Sequence, residues 1–348
     1  MVTTQSTNGN LLRRHGVLVV GSHCHDVLSL ENGALSVESL GGAAAFISNV
    51  FDGLGIPFHL VSKVGGDFRY PISGSHPPIV VADAKTTVFH ASFHKPSPDS
   101  HPERVLRRVA ACEPIVPGDL PSDAWFDFGM AVGVAGEVLP ETLEKMMSIC
   151  GVVFADVQAL IRDFEEDGTV RHMKLRDTGF YPMLSRIGGI KASSEEAAYV
   201  DVNEAARIGC CVVVTRGSEG CRVYSEGRDS VIPPFSAVEV DPTGAGDSFL
   251  GGFVGGLVNG LCVPDAALLG NLFGSLAVQQ VGLRNFSRHF LQKVKEELQG
   301  RRREYDCCDG CDRSLNFREQ GGLKQFRSSL MASVEEEEDG SPEFFPGV

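Results

Sequence analysis

Short apolar runs recur along the chain, each closed by glycine or a polar residue, and segments with helical spacing of apolar residues separate them. Val17-Leu18-Val19-Val20 ends at Gly21, and 58–62, 125–128, 152–155 and 211–214 repeat the pattern of a buried strand. The small, apolar stretch 41–55 reads as a glycine turn running into a helix, with Gly55 just past its end. Further helices are predicted over 137–148, 194–207, 247–258 and 266–278. Strands alternating with helices predict an α/β fold with a mostly parallel sheet covered on both faces. Ligands in such sheets sit outside the carboxyl ends of the strands. Asp26, Asp156 and Thr215 each follow a predicted strand and are expected to converge there. Residues 69–85 hold three prolines and read as a loop or small flap, which the β-rich stretch 86–93 joins.

Composition narrows the classes. The 348 residues carry 31 Lys+Arg against 45 Asp+Glu, a net charge of −14, which argues against a broad nucleic-acid or anionic-membrane surface. No apolar run approaches the ~18 residues of a membrane helix. Residues 1–10 lack the apolar core of a signal peptide, so a cytoplasmic protein is expected. Several of the ten cysteines, such as Cys210 and Cys211, lie in apolar surroundings and read as buried small hydrophobes, not disulfides. Cys307, Cys308 and Cys311 include a Cys-x-x-Cys with no second pair nearby, and read as an exposed tail segment and not a zinc site. Residues 1–14 and 300–348 are polar and weakly periodic, and are expected to be mostly disordered. The five acids at 335–339 read as solvated.

The chemistry concentrates in Asp241-Pro242-Thr243-Gly244-Ala245-Gly246-Asp247-Ser248-Phe249. A β-like Val238-Glu239-Val240 precedes it. After it, Phe249, Phe253 and Leu257 share one helical face. The pattern is strand, glycine turn, helix start. Amides at a helix start are unpaired and lie at the positive end of the dipole, and Gly244 and Gly246 let them approach an anion. Asp247 then stands where a carboxylate can take the proton of a hydroxyl attacking a phosphate.

This string resembles the second signature of the PfkB (ribokinase-like) carbohydrate kinases, and pieces over roughly 16–295 match in order. Gly21-Ser22-His23-Cys24-His25-Asp26 is similar to the family's first-strand motif, Gly41-Gly42 to its lid hinge, and Thr215-Arg216-Gly217 with Gly220 to its strand-end turn near the nucleotide. Asn271, in the small-residue helix 266–278, is similar to the family's region that flanks the adenine. The resemblance implies a three-layer α/β/α sandwich over 15–299 with a small, trimmed β lid, drawn from parts of 22–40 and 69–95. It implies transfer of the ATP γ-phosphoryl group to a hydroxyl, with Mg²⁺, and admits a monovalent cation. Asp247 would be the base, Gly244, Ala245 and Gly246 the anion hole, and Asp26, Gly41 and Gly42 acceptor contacts.

Departures refine this expectation. The family's Asn-x-x-Glu, which places Mg²⁺ through water, stands here as Ser193-Ser194-Glu195-Glu196, so Glu196 keeps the acid. Phe46 replaces a sugar-binding asparagine, and Asn49, one turn later, is the expected substitute. With Asp156 to Arg162 and Lys191-Ala192-Ser193, these features resemble the plant myo-inositol kinase branch, making a small neutral polyol, myo-inositol first, the expected acceptor. Another sugar or a nucleoside is the alternative acceptor, and a non-catalytic nucleotide-binding regulatory member is the alternative class. An oxidoreductase lacks a Gly-x-Gly-x-x-Gly after the first strand. A trimmed lid leaves fewer edges for dimers, so a monomer is expected. Arg216 and Asp156 are balanced between the site and ordinary turns. Arg162 reads as a solvated loop residue with a phosphate clamp as the alternative. Lys63 reads as an exposed strand-end lysine, and His23 and His25 as packing or pocket lining.

Overall fold

An apolar tetrapeptide such as 17–20 is buried on both faces only inside a sheet covered on both sides. In the computed structural model, which describes residues 12–29, 36–71, 76–94, 103–225, 228–305, 315 and 322–340, that sheet has eight strands. They are β1 (Leu12–Val20), β4 (Phe58–Val61), β9 (Ala124–Ala131), β10 (Cys150–Asp156), β13 (Gly189–Ser193), β14 (Cys211–Thr215), β15 (Cys221–Ser225) and β16 (Arg228–Ile232). The spatial order is β16-β15-β14-β13-β10-β9-β1-β4, and β15 runs opposite to the other seven strands, pairing antiparallel with β14 and β16. Alternation divides the core. Val17 and Val19 join one apolar cluster with helices α1 (Ala43–Leu54), α5 (Ala245–Val258), α6 (Val263–Ala277), α7 (Arg288–Tyr305) and α8 (Leu323–Gly340). Leu18 and Val20 join the other with α2 (Pro140–Ile149) and Ala205 of α4 (Val202–Arg207). The expected α/β/α sandwich is present, and Gly55 caps α1 in the left-handed region (φ 70°).

A four-stranded sheet stands over one end of the sandwich: β2 (Cys24–Ser29), β3 (Ser36–Gly41), β7 (Thr87–His94) and β8 (Glu103–Ala110), in the order β3-β2-β7-β8. β8 lies outside the stretches expected to supply the lid; its charged sequence hides a strand that leaves Arg107 and Val109 exposed. Two small pairs complete the chain. β5 (Lys63–Gly65) joins β6 (Ile79–Val81), and β11 (Arg162–Phe164), following the one-turn α3 (Gln158–Ile161), forms a hairpin with β12 (Val170–His172).

Several expectations are corrected. β1 begins at Leu12, inside the segment expected to be disordered, because its backbone pairs with β9 from Leu12 onward. Most of 323–340 is likewise helical: Phe326, Leu330 and Ser333 are buried on one face of α8, which packs on α6 and α7. The 194–207 helix is a 3₁₀ turn (Glu196–Tyr199) followed by short α4. The 238–240 stretch is not a strand. Pro233 and Pro234 cannot donate to a ladder, Val238 is 79% exposed, and the Val240 and Asp241 N–H groups both donate to the Val278 carbonyl. Lys63 is buried, 2.8 Å from Asp119. Cys24, Cys150, Cys210, Cys211, Cys221 and Cys262 are buried, and no disulfide joins them among the described residues. Cys307, Cys308 and Cys311 lie outside the described residues, within which no helix is long and apolar enough to cross a membrane.

Candidate active site

Under the lid lies a cavity of about 1140 Å³, walled by the lid strands, the β11–β12 hairpin, the ends of β13 and β14, and the turn into α5. That turn is built locally. Asp241 is buried and its Oδ1 accepts from the Thr243 N–H (3.0 Å) and hydroxyl (2.7 Å), closing the loop ahead of the helix. Gly244 caps α5 at φ 78°, and a Cβ there would strike the Phe46 ring, so glycine is required twice over. Gly244, Gly246 and Asp247 line the cavity. Ala245, expected to complete an anion hole, does not; its N–H turns back to the Pro242 carbonyl (3.3 Å).

Asp247 sits in a network of alternating charge. Gln158 donates to its carboxylate at 3.2 Å. Lys191 and Asp156 are register partners on β13 and β10, and their side chains meet at 2.8 Å with both residues buried. The Lys191 ammonium also lies beside Gly246, where a Cβ would stand 2.6 Å from it. Burial raises the Asp247 carboxyl above the usual aspartate range, against the opposing pull of Lys191, Arg162 and the Gln158 hydrogen bond. Burial likewise pushes Asp156 up, opposed by Lys191. Burial works against the charge on Lys191, but Asp156, Glu196 and Asp247 together hold it protonated. Glu196 is buried, which alone would raise its pKa, yet Lys191, the Ser193 N–H (2.8 Å) and Arg162 keep it below the ordinary value.

Asp26 lines the cavity from β2. A Cβ at Gly41 would collide with the Asp26 carboxylate, so the bare backbone of β3 is what seats that side chain, and Gly42 lines the wall beside it. Thr215, Arg216, Gly217 and Glu196 also reach the cavity, as expected, and exposed Arg216 pairs with Glu219 at 3.0 Å. Besides Ala245 and Gly41, three expected contacts are absent from the wall. Asn49 donates to the Arg284 carbonyl (2.8 Å), because one turn beyond Phe46 the helix face has rotated away from the lid. Asn271 donates to the Ile232 and Pro233 carbonyls (3.3 and 2.9 Å), and Gly220 packs against Ile232 and Pro234. Both hold the strap 232–241 behind the site. His23 contacts Ser62 (3.0 Å) and His25 stacks on Phe68, so both are packing residues. Asp156 belongs to the site's charge network. Arg162, expected to be solvated, is half-buried and lines the cavity. Gln158 and Lys191 were not expected as functional residues. Their signal was position, directly after one central strand and within the next.

A family model for pfkB family carbohydrate kinases matches residues 186–289, the part holding Lys191 through α6. Inositol 3-kinase of Arabidopsis thaliana is 56% identical over 290 residues, covering 83% of this chain and 81% of that protein. The chain belongs to the pfkB family of carbohydrate kinases. Inositol 3-kinase of Zea mays is 52% identical over 313 residues, 86% of this chain and 82% of that protein. A solved pyrophosphate-dependent kinase of the ribokinase family, complexed with a pyrophosphate analog and myo-inositol, shares the fold with a TM-score of 0.63. It is 17% identical and covers 78% of this chain and 97% of its own. The nucleoside kinase of Methanocaldococcus jannaschii, 19% identical, superposes with a TM-score of 0.58 over 83% of this chain and 98% of its own. This pfkB kinase thus carries its family's sandwich, with the glycine-opened start of α5 and Asp247 beneath the lid.

Proposed function

We propose that this kinase transfers the γ-phosphoryl group of ATP to a hydroxyl of a small neutral polyol, myo-inositol foremost, with Asp247 as the base. The observation that carries the reading is a carboxylate in the first turn of a helix whose glycine-opened start lines the same cavity as Asp26. The acceptor hydroxyl gives its proton to Asp247 as its oxygen attacks the terminal phosphorus. The bond from phosphorus to the bridging oxygen breaks, and ADP leaves. The helix start around Gly244 and Gly246 faces the charge that grows on the phosphoryl oxygens, and Lys191 behind Gly246 adds to that field.

The cavity exceeds the roughly 300–1,000 Å³ of a site for one small ligand, which suits a donor and an acceptor side by side. Asp26 is suited to accept two hydroxyls of a polyol, and Phe46 offers an apolar face to a carbon ring. The names of the plant relatives, inositol 3-kinases at 52–56% identity, support myo-inositol. Thr215, Arg216 and Gly217 are assigned to the nucleotide side. Among the described residues no group of three or more metal-ligating side chains stands ready. One anionic Glu196 fits a Mg²⁺ ion held mostly by donor phosphates and water, where the ion would neutralise phosphate charge. A coupled assay with ATP over inositols, hexoses, pentoses and nucleosides tests the reading. Turnover with myo-inositol, and its near-complete loss in Asp247→Asn with ATP binding retained, is the expected result. Undiminished turnover in that variant would refute the assigned base, and ATP binding without transfer to any acceptor would favour a regulatory member.

A further inference from the structure

The β11–β12 hairpin contributes Arg162, Thr169, Val170 and His172 to the cavity wall. It is tied to the lid, because Arg107 and Thr169 form an antiparallel bridge and the Arg108 N–H donates to the Gly168 carbonyl at 2.8 Å. The Arg108 guanidinium lies 3.5 Å from the centre of the Phe164 ring and donates to the Ala135 carbonyl, riveting lid strand, hairpin and core together. Gly168 makes the junction close: its φ is 82°, and a Cβ there would strike the Arg108 carbonyl.

Arg162 is the first residue of β11. Its Nη1 makes a long 3.4 Å contact with the Val134 carbonyl, and its buried Nε has no hydrogen-bond partner among the described residues. No carboxylate lies within ion-pair distance of it among those residues, yet its field reaches both Asp247 and Glu196. A buried donor left unmatched costs free energy unless an acceptor meets it, and guanidinium is the side chain best shaped for phosphoryl oxygens. The hairpin therefore holds an unneutralised cation beside the helix start that faces the donor.

We propose that Arg162 is a catalytic residue whose guanidinium meets the oxygens of the phosphoryl group in transit, mounted on the lid through the β11–β12 hairpin. The proposal rests on the phosphoryl-transfer reading above. Arg162 exchanges no proton or electron. The P–O bond to the donor breaks and the P–O bond to the acceptor forms while Asp247 takes the proton, and Arg162 stabilises the charge spread over the equatorial oxygens. Because the hairpin is bonded to β8, the lid's position and Arg162's reach into the cavity are set together.

Steady-state kinetics with ATP and myo-inositol, run on wild type, Asp247→Asn, Arg162→Ala, Arg162→Lys and Gly168→Ala, test it. Arg162→Ala should lower kcat by about 10²–10³-fold, with each KM changed less than about threefold. Arg162→Lys, which keeps a charge but not the fork, should fall between, and added guanidinium ion should restore part of the Arg162→Ala rate and none of Asp247→Asn. Gly168→Ala, with its fold confirmed by thermal melting, should lower kcat by about tenfold or more, as the hairpin is pushed off the lid strand. A folded Arg162→Ala or Arg162→Lys enzyme with kcat within about threefold of wild type, beside an inactive Asp247→Asn, would overturn the role of Arg162 and leave the base standing. Unchanged kcat in Gly168→Ala would overturn the link to the lid. A wild-type chain that transfers phosphate to no acceptor would remove the parent reading, and this proposal with it.

Discussion

Replacing Lys191 by methionine isolates what the charge network beneath the helix start contributes. Lys191 and Asp156 meet at 2.8 Å with both side chains buried, so the variant leaves Asp156 as an uncompensated carboxyl. Removing one partner of such a pair costs about 3–5 kcal/mol, a third or more of the stability of many domains. At roughly 2–4 °C per kcal/mol for a chain of this size, Lys191→Met should melt roughly 6–20 °C below wild type at pH 8. The loss depends on pH with a defined sign. Asp156 is already raised by burial, and without Lys191 it rises further. A carboxyl whose folded pKa lies above its unfolded value contributes stability below the unfolded pKa, and loses it as pH rises through the folded one. The gap to wild type should therefore narrow as pH falls from 8 toward 5. The double variant Lys191→Met/Asp156→Leu removes both charges and should recover most of the melting temperature, because buried pairs are often matched by apolar residues. Scanning calorimetry of the three proteins over that pH range is the assay. A melting temperature for Lys191→Met within about 2 °C of wild type at pH 8, or a gap that ignores pH, would refute the reasoning.

Other outcomes follow from the same geometry. The acid limb of kcat should lie above the ordinary aspartate value of ~3.9, because burial raises Asp247 and the base is lost as pH falls through that raised value; a pH–rate profile flat down to pH 4 would contradict it. Gly244→Ala must place a Cβ into the Phe46 ring at φ 78°, and should lower kcat by about 10²-fold, with part of the rate returning in Gly244→Ala/Phe46→Ala as the ring is removed. Arg327 on α8 donates twice to the Pro234 carbonyl (3.1 and 2.6 Å) and holds the strap that leads to Asp241. Arg327→Ala should cost about 1–3 kcal/mol and open the 233–240 strap to limited proteolysis, whereas unchanged melting and cleavage would show the helix to be dispensable.

Local chemistry was legible in the sequence and long-range charge pairing was not, for a physical reason. The turn into α5 is specified within nine residues, since a capping glycine, an aspartate-closed loop and a first-turn acid need no distant partner. The strands β1, β9, β10 and β14 were equally plain, because burial on both faces leaves an apolar run, whereas β13 was not expected, since Lys191 interrupts its short Gly-Ile-Lys-Ala-Ser sequence. β8 and β12 keep charged residues facing solvent and carry no such mark. α8 was missed because its buried residues, Phe326 and Leu330, are diluted by the acids that follow. Asn49 fails for a rotational reason: three residues along a helix turn a side chain by 300°, enough to take it from the cavity that Phe46 lines to the carbonyl of Arg284. The charges around Asp247 are a product of topology. Asp156 and Lys191 stand 35 residues apart and meet because β10 and β13 are adjacent parallel strands in that register. Gln158 reaches Asp247 across 89 residues because α3 begins where β10 ends at the mouth of the same sheet. The ends of adjacent strands thus assemble, from single unremarkable residues, a network of alternating charge beneath the start of α5. The motif supplies the glycines and the buried acid, and the strand order sets the field around them.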